Sequence, residues 1–195
     1  MKWLLLMALG ATLQDADYKL PTPEGWRTER IEFPPPFAKD LDYKGFEDLR
    51  FAPGMFKAEA PDYFSYALLF WIDGTMSFEP KSIEKELLKY YKGLCGAVGK
   101  SRKLDLDLSK ITVQVKKLDA KGKLGGEDAD RFDATIDMVD AFVTGKPLTL
   151  HLECWARGVQ GGKRSGFFAL ASPKAKSEPI WEALRKLQSG FECPK

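Results

Sequence analysis

His151 is the only histidine in a chain of 195 residues, so a serine or cysteine nucleophile that needs an imidazole base must use it. It lies in "LTLHLECWARG", where alternation puts Leu148, Leu150, Leu152, Cys154 and Ala156 on one face of a strand. His151, Thr149, Glu153, Trp155 and Arg157 fall on the other. Cys154 therefore points away from His151, and no G-x-S-x-G elbow supplies a serine. What remains for catalysis is His151 with Glu153 at the border of a cleft, set against a plain solvated or partly packed sheet face.

Two further stretches resemble chemistry on first reading. "GLCGAVGKS" ends like a phosphate-binding P-loop, but the motif needs glycine five residues before Gly99, and Leu94 stands there. The tract also follows a helical pattern, whereas a P-loop leaves a strand and opens a helix. It reads as a helix stop. The acidic residues Glu127, Asp128, Asp130, Asp133, Asp137 and Asp140 lack the register of a calcium loop, and they nominate no opposed pair for glycoside hydrolysis. Cys95, Cys154 and Cys193 show no metal-ligand spacing, so neither a metal nor a cofactor is expected. For the thiols the alternatives are a Cys154–Cys193 disulfide stapling the C-terminus to a strand, and three unpaired groups.

Arg50 precedes "FAPGMF". If it points inward it needs a carboxylate such as Glu29 or Glu47, because an unpaired buried guanidinium is costly. Its other reading is an anion contact at the loop, which makes Arg50 and Met55 the candidate ligand residues.

Positioning these groups falls to an α+β domain. Strand character appears in "WRTERIEF", "GFEDLRF" and "YFSYALLFWI", then in "KITVQVKKL", "RFDATIDMVDAFV", "PLTLHLECWARG" and "RSGFFALAS". "DAKGKLGGEDAD" is expected to be a hairpin loop. Helical spacing predicts helices over 82–94, with Ser82 as N-cap and Gly93 or Gly96 as its end, and over 178–189. Grouped strands with few helices predict one largely antiparallel sheet of about 6–7 strands with both helices packed on it. Tyr63 to Ile72 is apolar on both faces, so it is expected to be an interior strand covered on both sides.

The N-terminal "MKWLLLMALGATLQDAD" has the order of a secretory signal: Lys2, an apolar run from Trp3 to Leu13, then polar residues. Residues 1–16 are expected to be that signal, with Ala11 or Ala16 at the small-residue position, and residues 17–195 the single domain. The run is too short to cross a bilayer, and no later segment reaches that length. Charge is balanced, 30 basic against 28 acidic residues, so nucleic acid is not an expected partner.

"GWRTERIEFPPPFA", "GFEDLRFAPGMF", "FSYALLFWI", "LLKYYKGL" and "ASPKAKSEPIWEALRKLQSGFEC" together resemble a family of uncharacterised exported bacterial proteins with no assigned activity. The layout of sheet and flanking helices, with the last helix leading to "SGF", also resembles the PsbP-like fold. The resemblance implies a secreted or periplasmic protein and brings no catalytic motif. The leading expectation is a non-enzymatic binding or structural module for an unknown small ligand or envelope protein. The rival is a hydrolase using His151 and Glu153 or paired carboxylates.

Overall fold

The computed structural model describes residues 18–193; the expected signal segment, residues 1–16, lies outside them. The strands are β1 (Arg27–Glu32), β2 (Gly45–Phe51), β3 (Tyr66–Asp73), β4 (Thr112–Leu124), β5 (Glu127–Val139), β6 (Pro147–Val159) and β7 (Arg164–Ser172). They form one antiparallel sheet in the order β1-β2-β3-β7-β6-β5-β4. Helix α1 (Pro80–Ser101) connects β3 to β4, and α2 (Pro179–Ser189) follows β7.

β3 sits inside this sheet with both faces apolar, as its sequence requires. Tyr66, Leu68, Phe70 and Ile72 enter a core shared with Ile83, Leu87, Tyr90 and Tyr91 of α1. Ala67, Leu69 and Trp71 enter a second core with Trp181, Leu184 and Leu187 of α2. The helices therefore cover opposite faces of the sheet in an α/β/α sandwich. Each large side chain fully buried there contributes roughly 1.5–3 kcal/mol of hydrophobic stabilisation. The strand begins later than its apolar pattern suggests, because Phe64 takes a positive φ of 49° and its N–H turns to the Met55 carbonyl at 3.1 Å.

Helix α1 departs further from expectation. It starts at Pro80 with Glu79 as N-cap, so Ser82 lies inside it, and it runs through Gly93, Gly96 and Gly99 to Ser101. The glycines are there for close approach. A Cβ at Gly93 would run into the carbonyl oxygen of Phe37, and one at Gly99 would lie 2.6 Å from Leu106 Cδ1. The GKS tripeptide is the last turn of this helix, with no phosphate cradle.

The charged tract between β4 and β5 is strand almost throughout. Leu124 pairs with Glu127 across Gly125 and Gly126, whose φ values of +61° and +84° suit a two-residue type I′ turn. Upstream, Leu118 pairs with Arg131 and Gly122 with Ala129, so Asp119, Ala120 and Lys121 bulge opposite Asp130. Lys117 and Lys121 both hold Asp130, which ties the bulge down.

Candidate ligand groove on the α2 face

The alternation of β6 places His151, Glu153, Trp155 and Arg157 on the side that α2 covers. Glu153 is 7% exposed, and Arg185 of α2 grips it with both ends of its fork, Nη2 to Oε1 at 2.6 Å and Nε to Oε2 at 3.1 Å. Such bidentate, charge-assisted bonds orient as well as attract. Arg157 reaches Leu124 O at 2.8 Å through Nε and Cys193 Sγ at 2.9 Å through Nη2. His151 is half-buried and makes no side-chain hydrogen bond among the described residues. The structure thus does not join His151 and Glu153 into an acid–base pair, and of the two expectations for this face, solvated or partly packed, the packed one holds, under α2.

Arg50 also faces α2, but towards the β1 edge of the sheet, in a cluster that lines a separate depression of about 470 Å³ with Tyr18, Arg30 and Asp48. Its partner is Asp48, where Glu29 or Glu47 was expected. Nη1 also donates to Leu49 O at 2.9 Å and Nη2 to Leu20 O at 3.3 Å. Asp48 further accepts from Tyr18 Oη at 2.6 Å and Arg30 Nη2 at 3.2 Å. Burial, reinforced by the Asp48 charge, pushes the Tyr18 phenol well above its usual range. Lys19 and Glu192 exchange backbone hydrogen bonds of 2.7 and 3.0 Å beside it. The cluster latches the arm at Tyr18–Leu20 to β2, and the backbone pair ties it to the segment after α2. Met55 is 3% exposed within the opposite core. Arg50 and Met55 therefore do not form one ligand site: the sheet lies between them.

The sheet also separates the cysteines expected to pair. Cys154 lies in the α1-side core and Cys193 packs on the α2 side against the turn at Gly125; both are free, as is Cys95. Burial pushes the Cys95 thiol up to about 11 and that of Cys154 higher still. The acidic residues of β5 are dispersed in the same way. Asp133 binds Lys176 at 2.7 Å and Asp137 accepts from Thr149 at 2.6 Å. Asp140 accepts from Tyr63 Oη and from the backbone N–H groups of Phe142, Val143 and Thr144, which hold its carboxyl below the usual range against the opposing effect of burial.

An open groove of about 650 Å³ lies between α2 and the bulged end of β4–β6. Trp155 forms its floor, opposite Arg131 in register on β5, and the Arg131 guanidinium lies 5.5 Å from the indole centroid. Gly122 at the end of the bulge makes the approach possible: a Cβ there would come within 2.6 Å of Trp155 Nε1 and 2.7 Å of Arg131 Cδ. On the helix wall, Glu182 pairs with Lys186 at 2.9 Å, and Gln188 Nε2 donates to Lys123 O at 2.5 Å. Arg131 has no carboxylate within ion-pair distance among the described residues. The sequence shows Trp155 and Glu153 on one strand face; Arg131, Gly122 and Arg185 enter only through register and helix packing.

The sandwich and its groove describe a single α+β domain with a lined depression beside its second helix. No family model and no curated protein matches the sequence. Among solved structures, LpqN, involved in cell envelope biogenesis of Mycobacterium tuberculosis, is similar at 12% identity and a TM-score of 0.38, over 91% of this chain and 83% of that one. Cyanobacterial PsbP (CyanoP) from Synechocystis is similar at 8% identity and the same TM-score of 0.38, over 91% of this chain and 87% of that one.

Proposed function

We propose that this protein is an exported, non-enzymatic module of the cell envelope that binds a small ligand in the groove between α2 and Trp155. The observation that carries this reading is Arg131, whose guanidinium is held over Trp155 with no carboxylate partner among the described residues. Concave sites that combine an apolar floor with a few fixed polar groups are the usual form of ligand pockets. The expected signal at residues 1–16 supports export. The hydrolase reading requires a carboxylate free to move a proton, and Arg185 occupies both oxygens of Glu153.

Equilibrium dialysis of the purified protein against a small-molecule extract of its host's envelope, read by mass spectrometry, tests the groove. A retained compound that Arg131→Ala and Gly122→Val each release supports the reading. Retention of nothing, or equal retention by both variants, ends it. Intact mass of the protein recovered outside the cytoplasm tests export: loss of a segment ending before Tyr18 is the expected result.

A further inference from the structure

We propose that the groove selects an anionic oxygen group, a carboxylate or a phosphate, carried on a larger body. This rests on the binding reading above and concerns which chemistry the groove accepts. The charges of the groove walls do not balance. Glu153 is neutralised by Arg185 and Glu182 by Lys186, so two acids and two bases cancel. Arg131 is left over, half-buried, with only an aromatic ring against it. Trp155 Nε1, on the groove floor, is a second donor that makes no hydrogen bond among the described residues.

The geometry also argues against the other ligand classes. A cation would face Arg131 directly. A neutral sugar stacks on an open aromatic face, and Trp155 is only 6% exposed, because α2 and Arg131 cover it. Its edge can donate while its face cannot be stacked upon. An arginine fork, in contrast, matches the paired oxygens of a carboxylate or phosphate. The C-terminal turn of α2 adds roughly half a negative charge at its own end of the groove, so the anion belongs on the sheet side, at Arg131. The close approach at Gly122 keeps Arg131 and Trp155 packed together before any ligand arrives, which limits the ordering cost of binding. A space of about 650 Å³ exceeds what a bare anion fills, hence the larger body.

The test follows the Trp155 indole N–H resonance, assigned through Trp155→Phe, during titration of the full chain with inorganic phosphate, glucuronate and glucose. Saturable shifts with phosphate or glucuronate, none with glucose, and an affinity at least tenfold weaker in Arg131→Ala are the expected results; Arg131→Lys should recover part of the loss. The tighter of the two anions assigns phosphate or carboxylate. Glucose shifting the resonance as strongly as glucuronate overturns the anion assignment while leaving a binding groove in place. So does an Arg131→Ala variant that binds both anions as the parent does. No shift with either anion also overturns it, and the dialysis experiment then decides separately whether the groove binds at all.

Discussion

Glu47 and Asp48 are neighbours in β2, and the pleat sends their carboxyls into opposite cores of the same sheet. Asp48 is met by Tyr18, Arg30 and Arg50. Glu47, fully buried between Ile31 and Phe70 in register, has no hydrogen bond to either oxygen among the described residues. One carboxylate is solvated by protein and the other is not.

Glu47 therefore makes stability depend on pH. Burial pushes its carboxyl from 4.5 up to about 8. Below the unfolded value both states hold the proton. As pH rises from there to about 8, the unfolded chain releases it and the folded chain keeps it, so stability falls through this window. The loss by pH 7 is on the order of 3 kcal/mol. Urea midpoints of the parent should decline across the window relative to those of Glu47→Gln. Parallel curves would show that Glu47 ionises normally.

Arg185 is expected to matter through the charge it covers. Arg185→Ala strands the Glu153 carboxylate under α2 and should cost about 2 kcal/mol, less than a fully buried pair because the guanidinium is half exposed. Adding Glu153→Met should restore most of that stability. Chemical denaturation of the singles and the double measures the coupling.

The latch predicts an ordered series. Tyr18→Phe removes one hydrogen bond to Asp48 and should cost about 1 kcal/mol. Asp48→Asn leaves Arg50 buried without its counter-charge and should cost about 3 kcal/mol. Tryptic cleavage after Lys19 should accelerate in the same order, and equal rates in all three proteins would show the arm is held elsewhere.

Gly93 reverses the usual helix rule. Alanine in place of an interior glycine ordinarily stabilises a helix by about 1 kcal/mol. Here a Cβ meets the Phe37 backbone, so Gly93→Ala should lower the thermal midpoint, by overpacking worth about 1–3 kcal/mol. Gly96 meets only Leu108 Cδ1 at 3.1 Å, the end of a flexible side chain, so Gly96→Ala should change the midpoint little. A rise in both variants would contradict the packing role of Gly93.

The parts of the fold legible in the sequence were those set by local pattern. The two apolar faces of β3 announce a strand with cover on both sides, and Pro179 and Gly190 bracket α2. Other features depend on partners distant in the chain. Nothing near Gly93 says that Phe37 approaches it, so it reads as a helix stop. The turn at Gly125-Gly126 was visible as a pair of glycines, but the charges around it resemble a loop until β5 supplies pairing. The candidate site was the least legible. Arg131 stands free only because Arg185, Lys186, Lys117 and Lys121 have taken the surrounding carboxylates.

The strand order has a consequence for how the molecule is made. β1 to β3 are a run of sequential neighbours, β4 to β7 are a second run, and only β3 against β7 joins them, with Tyr66 opposite Ala171. On a ribosome the first run is finished long before its other half exists. The inner edge of β3 stays unpaired until Ser172 has emerged, and the core on its other face waits longer still, for Trp181, Leu184 and Leu187 of α2.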